Sequence, residues 1–329
     1  MTEPAVLTSA EVVAVLDCGE AVHHAAACGP SHVTGVTLAG DLVRVSAWGT
    51  IDVVDRLGVV PMALGVMPAG EVVGHESGVI IRSRGVTERP VVSGPVATIA
   101  VGMTEVAFAA GEHVHRGSGG SVAARIGTVR DLAWIGRRDL FVAVGTQGLA
   151  WIDLDRCVVE GVVELATLLT VDVSADGERI VAGSLAGAVH VLAVWGGEGS
   201  ELEGYPDRVR HVAWTRSDAA ASVVAVADDE ITVWAVEGVS CADEPTCLHG
   251  HEAAITALAA APAHGLIASG DAEGVVRLWR PDRVPEPLVR VDIAAAVTAL
   301  VWTADARHFA VFDRSGRVTV VAVRAGVLA

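Results

Sequence analysis

Lysine and asparagine are absent from the 329 residues, and glutamine occurs once, at Gln147. Their codons are A-rich, so the loss points to a GC-rich bacterial genome of actinobacterial type rather than to selection at a site. Without lysine, all 23 cations are arginine, set against 40 acids for a net charge of −17. So little cationic surface argues against nucleic-acid binding, which requires displacing counterions from phosphates. The same deficit argues against docking on anionic membranes. Cysteine is scarce and odd in number, five residues with no CxxC pair, which disfavours a disulfide framework and fits free thiols in a reducing cytoplasm. No apolar run is long enough to insert in a membrane: the uncharged stretch 180–197 is interrupted by Gly183, Ser184, Gly187 and His190. The first residues, Met-Thr-Glu-Pro-Ala, lack the basic and apolar blocks of a signal peptide. Catalytic motifs are missing too, with no GxSxG elbow, P-loop, HExxH or GxGxxG after a strand.

What is present is a large apolar fraction, 52 %, arranged in short β-patterned runs that exclude disorder. The runs recur in a fixed order. Residues 255–259, 266–269, a turn at 271–274 and 275–279 form one unit. The same order returns at 297–302, 308–312, 313–316 and 317–323, and again from 209, 169 and 129. Successive units start 40, 40, 46 and 42 residues apart. Valine, isoleucine, leucine and tryptophan fill the runs, while glycine and aspartate mark the turns. Further apolar clusters at 157–163 and 287–291 supply a fourth strand. Four antiparallel strands per ~40–45 residues is the period of propeller blades. No helix-period segment of useful length competes.

One unit carries more than a period. The run from Leu248 through Gly250-His251 to Ser269, the turn 271–274 and Trp279 resembles the WD-repeat β-propeller family. The resemblance implies a buried network of His251, Ser269, an acid and Trp279; by position that acid is Glu273. Ser174-Ala-Asp-Gly177 resembles the family's turn between its first two strands, and Trp234 its third-strand tryptophan, which Leu192 and Val321 replace in their own units. The likeness is specific over 248–280, fair over 129–323 and weak before 129.

These readings give an all-β fold, a single propeller domain over 1–329 with eight four-stranded antiparallel blades. Seven blades, the commoner number in the family, is the alternative and would make 18–58 an elaboration. Residues 129–329 hold the clearer blades and 18–128 the divergent ones, with first strands near Ala21, Val59 and Val96. The last unit ends after three strands, so an N-terminal strand within 1–17, either 11–17 or 5–8, is expected to close the ring.

Histidine pairs at 23–24, 113/115 and 249/251 lack the further ligands of a metal site and are read as solvated or structural. No catalytic residue, cofactor or metal is expected. Gly117–Ser121 reads as a blade connection and Cys241/Cys247 as a reduced pair. The loops entering each blade and those joining its second and third strands share one rim in a propeller. That rim is expected to carry Arg208, Asp228, Asp229, Glu252, Asp271, Asp313 and Arg314, an acidic surface suited to a protein partner with a basic face. The resemblance implies a non-catalytic scaffold for other proteins in the cytoplasm. The alternative is an enzyme or ligand-binding propeller with its site at the central channel, among Arg130, Asp131, Asp172, Arg210 and His211.

Overall fold

Each run of alternating or continuous apolar residues becomes a strand, and consecutive strands fold back on one another by tight turns. The computed structural model describes residues 9–84, 86–90, 92, 94–195, 197–216 and 221–328. Eight antiparallel sheets result. In chain order they occupy 22–56, 61–88, 96–123, 129–164, 168–202, 211–241, 255–292 and 297–323, with strands labelled a to d outward within each. The sixth carries an additional short strand, Thr246–Leu248, on its strand c. The eighth supplies only a, b and c, and Ala10–Asp17 pairs antiparallel with its strand c to complete it. The other closing segment considered, 5–8, lies outside the described residues.

Burial follows strand position. Strand b is buried on both faces, and strand c largely so outside sheet 3, as in Leu140–Gly145 and Gly148–Asp153. Strand d alternates, as in Val158–Glu164, where every second side chain is exposed. Continuous apolar runs therefore mark the middle of a sheet sandwiched between neighbours, and alternation marks its outer edge.

The described chain divides into two compact units, one holding sheets 1, 7 and 8 and the other sheets 2 to 6. In the first, Phe312, Val318 and Val320 pack with Val22, Val33 and Val43, and a second cluster gathers Leu266, Leu278, Trp302, Phe309 and Val311. In the second, Phe141, Ile152 and Leu154 form one cluster and Leu149, Trp151, Leu168 and Ile180 the next. Close sheet-to-sheet approach requires glycine near the end of strand b. A Cβ on Gly270 would lie 2.6 Å from Val297, and one on Gly183 2.7 Å from the Val209 carbonyl.

Strand a has its own device. In seven sheets its register with b slips after the first residue, leaving one extra residue bulged. A bulge re-aims side chains. In the unit of sheets 1, 7 and 8 the bulged Thr256 and Thr298 donate their hydroxyls to the Val297 and Val22 carbonyls, the first residue of the next strand a. In the other unit the residues beyond the bulge do this work: Thr98 donates to Asp131, which accepts from the Val171 amide, and Asp172 accepts from the Trp214 amide.

The blade-seven network, the loop rim and related proteins

A histidine ahead of strand a can reach into its sheet only if small residues on strand b leave room. Sheet 7 provides this with Ala268, Ser269 and Gly270. His251 Nδ1 lies 2.7 Å from Asp271 Oδ2, and its Nε2 2.7 Å from Ser269 Oγ. The Trp279 indole N–H donates to the same Ser269 oxygen at 2.8 Å. All four residues are buried. Valence fixes the direction. The carboxylate of Asp271 only accepts, so Nδ1 carries the proton of the neutral imidazole, Nε2 is left an acceptor, and Ser269, which accepts from Trp279, donates its hydrogen to it. The relay runs Trp279 to Ser269 to His251 to Asp271.

The acid of this network is therefore Asp271, not Glu273. Ser269 and Asp271 are two apart on one strand and share a face, whereas Glu273 lies in the turn and contributes only its backbone N–H, donated to Asp271 Oδ1. The Val275 amide donates to the same oxygen. Asp271 thus ties the turn as well as the histidine. Asp313, at the matching end of strand b in sheet 8, accepts from the Ser315 amide and hydroxyl and from the Arg317 amide.

Both aspartates were expected on the exposed rim, and both are buried, about 1 % and 2 % exposed. A carboxylate at the start of a tight turn meets unpaired amides before it meets water, and it is held there. The same position is filled by Thr37, which accepts from the Asp41 amide, by His75, which accepts from that of Ser77, and by Ser184, which accepts from Ala186 and Ala188. The remaining rim residues are exposed. Arg208, Asp228 and Asp229 belong to the unit of sheets 2 to 6, and Glu252 and Arg314 to the other. Within each unit the b–c turns bond directly to the loops entering strand a, through Val129 N–H to the Gly111 carbonyl, Ala272 to Ala254 and Arg314 to Ala296.

A second relay is not evident from motif matching. The only tyrosine, Tyr205, stands four residues before Val209, as His251 stands four before Ile255. The Trp234 indole donates to its hydroxyl at 2.9 Å, Tyr205 donates to Thr232 at 2.8 Å, and Thr232 closes on the Ala225 carbonyl. Register supports the equivalence: Trp234 faces Val223 as Trp279 faces Ile267, with Leu192 and Val321 at the matching place in sheets 5 and 8.

On the strands a, burial raises the carboxyl of Asp131, and burial with the neighbouring Asp131 charge pushes Asp172 up to about 6. Burial, aided by Arg210, pulls His211 down to about 4, and burial with His23 does the same to His24. Arg130 is the bulged residue and is exposed. His115, expected on a solvated face, is half-buried and stacks on Phe108 with ring centroids 5.4 Å apart. Gly117–Ser121 connects strands c and d of sheet 3, and all five cysteines are free.

Residues 243–280, the span that contains the relay, match the family model of the WD domain, G-beta repeat. With 95 % of the chain covering 99 % of the other, the structure is similar to that of the computationally designed Ika8 protein, at a TM-score of 0.78 and 18 % identity. It is similar also to the C-terminal WD40 domain of Sif2, with a TM-score of 0.75, 12 % identity and coverage of 96 % of this chain and 99 % of that one. The chain folds as a β-propeller. The propeller has eight blades, one per sheet, and its eighth takes the N-terminal strand. No curated protein matches the propeller. No helix among its described residues is long and apolar enough to cross a membrane.

Proposed function

We propose that the propeller is a non-catalytic scaffold, acting in the cytoplasm, whose loop rim binds a protein with a basic surface. One observation carries the reading: the side chains that resemble catalytic groups are engaged in holding the sheets together. His251, Ser269 and Asp271 complete a relay, while Asp131 and Asp172 accept backbone amides from the next strand a. The loops carry exposed acids, Asp207, Asp228 and Asp229 among them, on a chain whose net charge is −17. Such charges act mainly on the association rate, through a field screened within roughly 8–10 Å at physiological salt.

The test is affinity capture from the native host with mass spectrometry, followed by kinetics on a double variant. Asp229 is reversed to arginine, and Asp228, whose φ is 57°, is changed to asparagine, a residue that tolerates that conformation. Association is expected to slow and to lose salt dependence while the melting temperature holds. Unchanged association returns these acids to a role in solubility.

A further inference from the structure

The outer wall of sheet 4 differs from a sheet edge that only faces water. Its strand d, Val158–Glu164, pairs inward with strand c and, among the described residues, with no strand on its outer side. At its centre is Gly161, paired with Trp151 across a register slip at Glu160. A Cβ on Gly161 would stand 3.2 Å from the Trp151 ring, so the glycine puts no side chain of strand d against that ring. Around it lies a cleft of about 220 Å³ lined by Trp151, Gly161, Val162, Val163, Val194 and Trp195. Val162 and Trp195 are exposed large apolar residues, with Trp195 at 45 %. The Trp151 indole N–H is buried and has no acceptor, although Trp151 is only 6 % exposed. Glu160 and Glu164 project from the same strand, and Arg156 pairs with the first.

We infer that this edge receives an extended segment of a partner protein as a fifth strand. The segment places one large apolar side chain opposite Gly161 and an arginine or lysine beside Glu164. The inference rests on the scaffold reading but uses a different surface from the rim. Three observations select this occupant. An unpaired strand edge offers backbone donors and acceptors in register with an extended peptide. A glycine on that edge, against an aromatic ring on the neighbouring strand, leaves room for the side chain of an added strand, the arrangement by which a large side chain covers a glycine across strands. The acid at 164 favours a cationic flank and disfavours a second copy of this acidic chain. The cleft has room for a single apolar side chain, so affinity concentrates at that position.

The experiment selects short random peptides on the full chain and measures the winners by fluorescence anisotropy against three variants. Trp195→Ala, at an exposed position, and Glu164→Arg, on the surface, leave the core intact, and Gly161→Val fills the cleft. Enriched peptides are expected to share one large apolar residue and a basic one three positions away, the spacing of Gly161 and Glu164. They should lose about tenfold or more in affinity on Trp195→Ala and Gly161→Val, and less on Glu164→Arg. Hydrogen exchange should show the amides of Val158–Glu164 protected by bound peptide. Failure to enrich any peptide on the folded chain overturns the inference. So does binding that is insensitive to Trp195→Ala and leaves those amides unprotected. Peptides that instead lose affinity with the Asp228/Asp229 variant would remove the cleft while leaving the scaffold reading in place.

Discussion

Replacing His251 with alanine removes the middle of the blade-seven relay and leaves both ends in a dry interior. Asp271 Oδ2 loses its donor, and Ser269 loses the acceptor for its hydrogen; neither residue is more than 1 % exposed. An unsatisfied buried group costs about 1–3 kcal/mol, and a buried carboxylate deprived of its partner falls at the upper end. Adding the space vacated by the imidazole, the expected loss is about 3–5 kcal/mol. Urea denaturation followed by tryptophan fluorescence reads it as a lower midpoint. Asp271→Asn supplies an internal control for the direction of the relay. The new amide can donate to Nδ1 and let the imidazole exchange its tautomer, so this variant should lose less than Asp271→Ala. A double-mutant cycle between His251 and Asp271 should return a coupling of roughly 1–3 kcal/mol. A loss under about 0.5 kcal/mol for His251→Ala would refute the reasoning. So would intact stability combined with loss of partner binding, which would make His251 a site residue.

Tyr205→Phe leaves the Trp234 indole without its acceptor while Thr232 keeps its bond to the Ala225 carbonyl, and should cost about 1–3 kcal/mol by the same assay; a neutral result would dissolve the second relay. For Asp172, the folded chain binds the proton more tightly than the unfolded one, since burial lifts it from 3.8 to about 6. Its contribution to stability is therefore greatest below about pH 4 and is lost as pH rises through about 6. The stability of wild type minus that of Asp172→Asn should fall across that window and level above it, and a rise would contradict the assignment. Deleting residues 1–17 strips the eighth sheet of its fourth strand and should give insoluble or cooperatively destabilised protein; an unchanged melting temperature would show that the strand is dispensable.

The sheets were legible where the chain repeats itself. First strands expected near 129, 169, 255 and 297 begin at Val129, Leu168, Ile255 and Val297, and the fainter ones near 21, 59 and 96 begin at Val22, Pro61 and Val96. Within the network, the choice of Glu273 over Asp271 came from matching turn positions. Strand alternation from Ser269 leads to Asp271 directly. The error at Asp271 and Asp313 has a different origin. Sequence alone does not separate an acid facing water in a turn from one beside unpaired amides, where a carboxylate is first of all an acceptor. The position ending strand b is Thr37, His75, Ser184, Asp271 or Asp313 in different sheets, so the chemistry persists while the letter changes. This fits a family match confined to 243–280. The bonds between successive strands a depend on a one-residue bulge, which periodicity cannot separate from a loop longer by one.

The pairing of Ala10–Asp17 with Arg317–Val323 has a consequence in time. These partners lie about 300 residues apart, and translation at the usual pace needs roughly 15–60 s to cover that interval. Throughout it, a strand with Val12, Val13 and Val15 exposed even in the finished fold waits without its neighbour. The other sheets need only residues already made, so each can form as it emerges. Glu11 and Asp17, one near each end of the waiting strand, are placed to discourage pairing with a stranger. The waiting time is a sum over every codon between the two partners, so a slow stretch anywhere in that interval lengthens the exposure of this strand by the same delay.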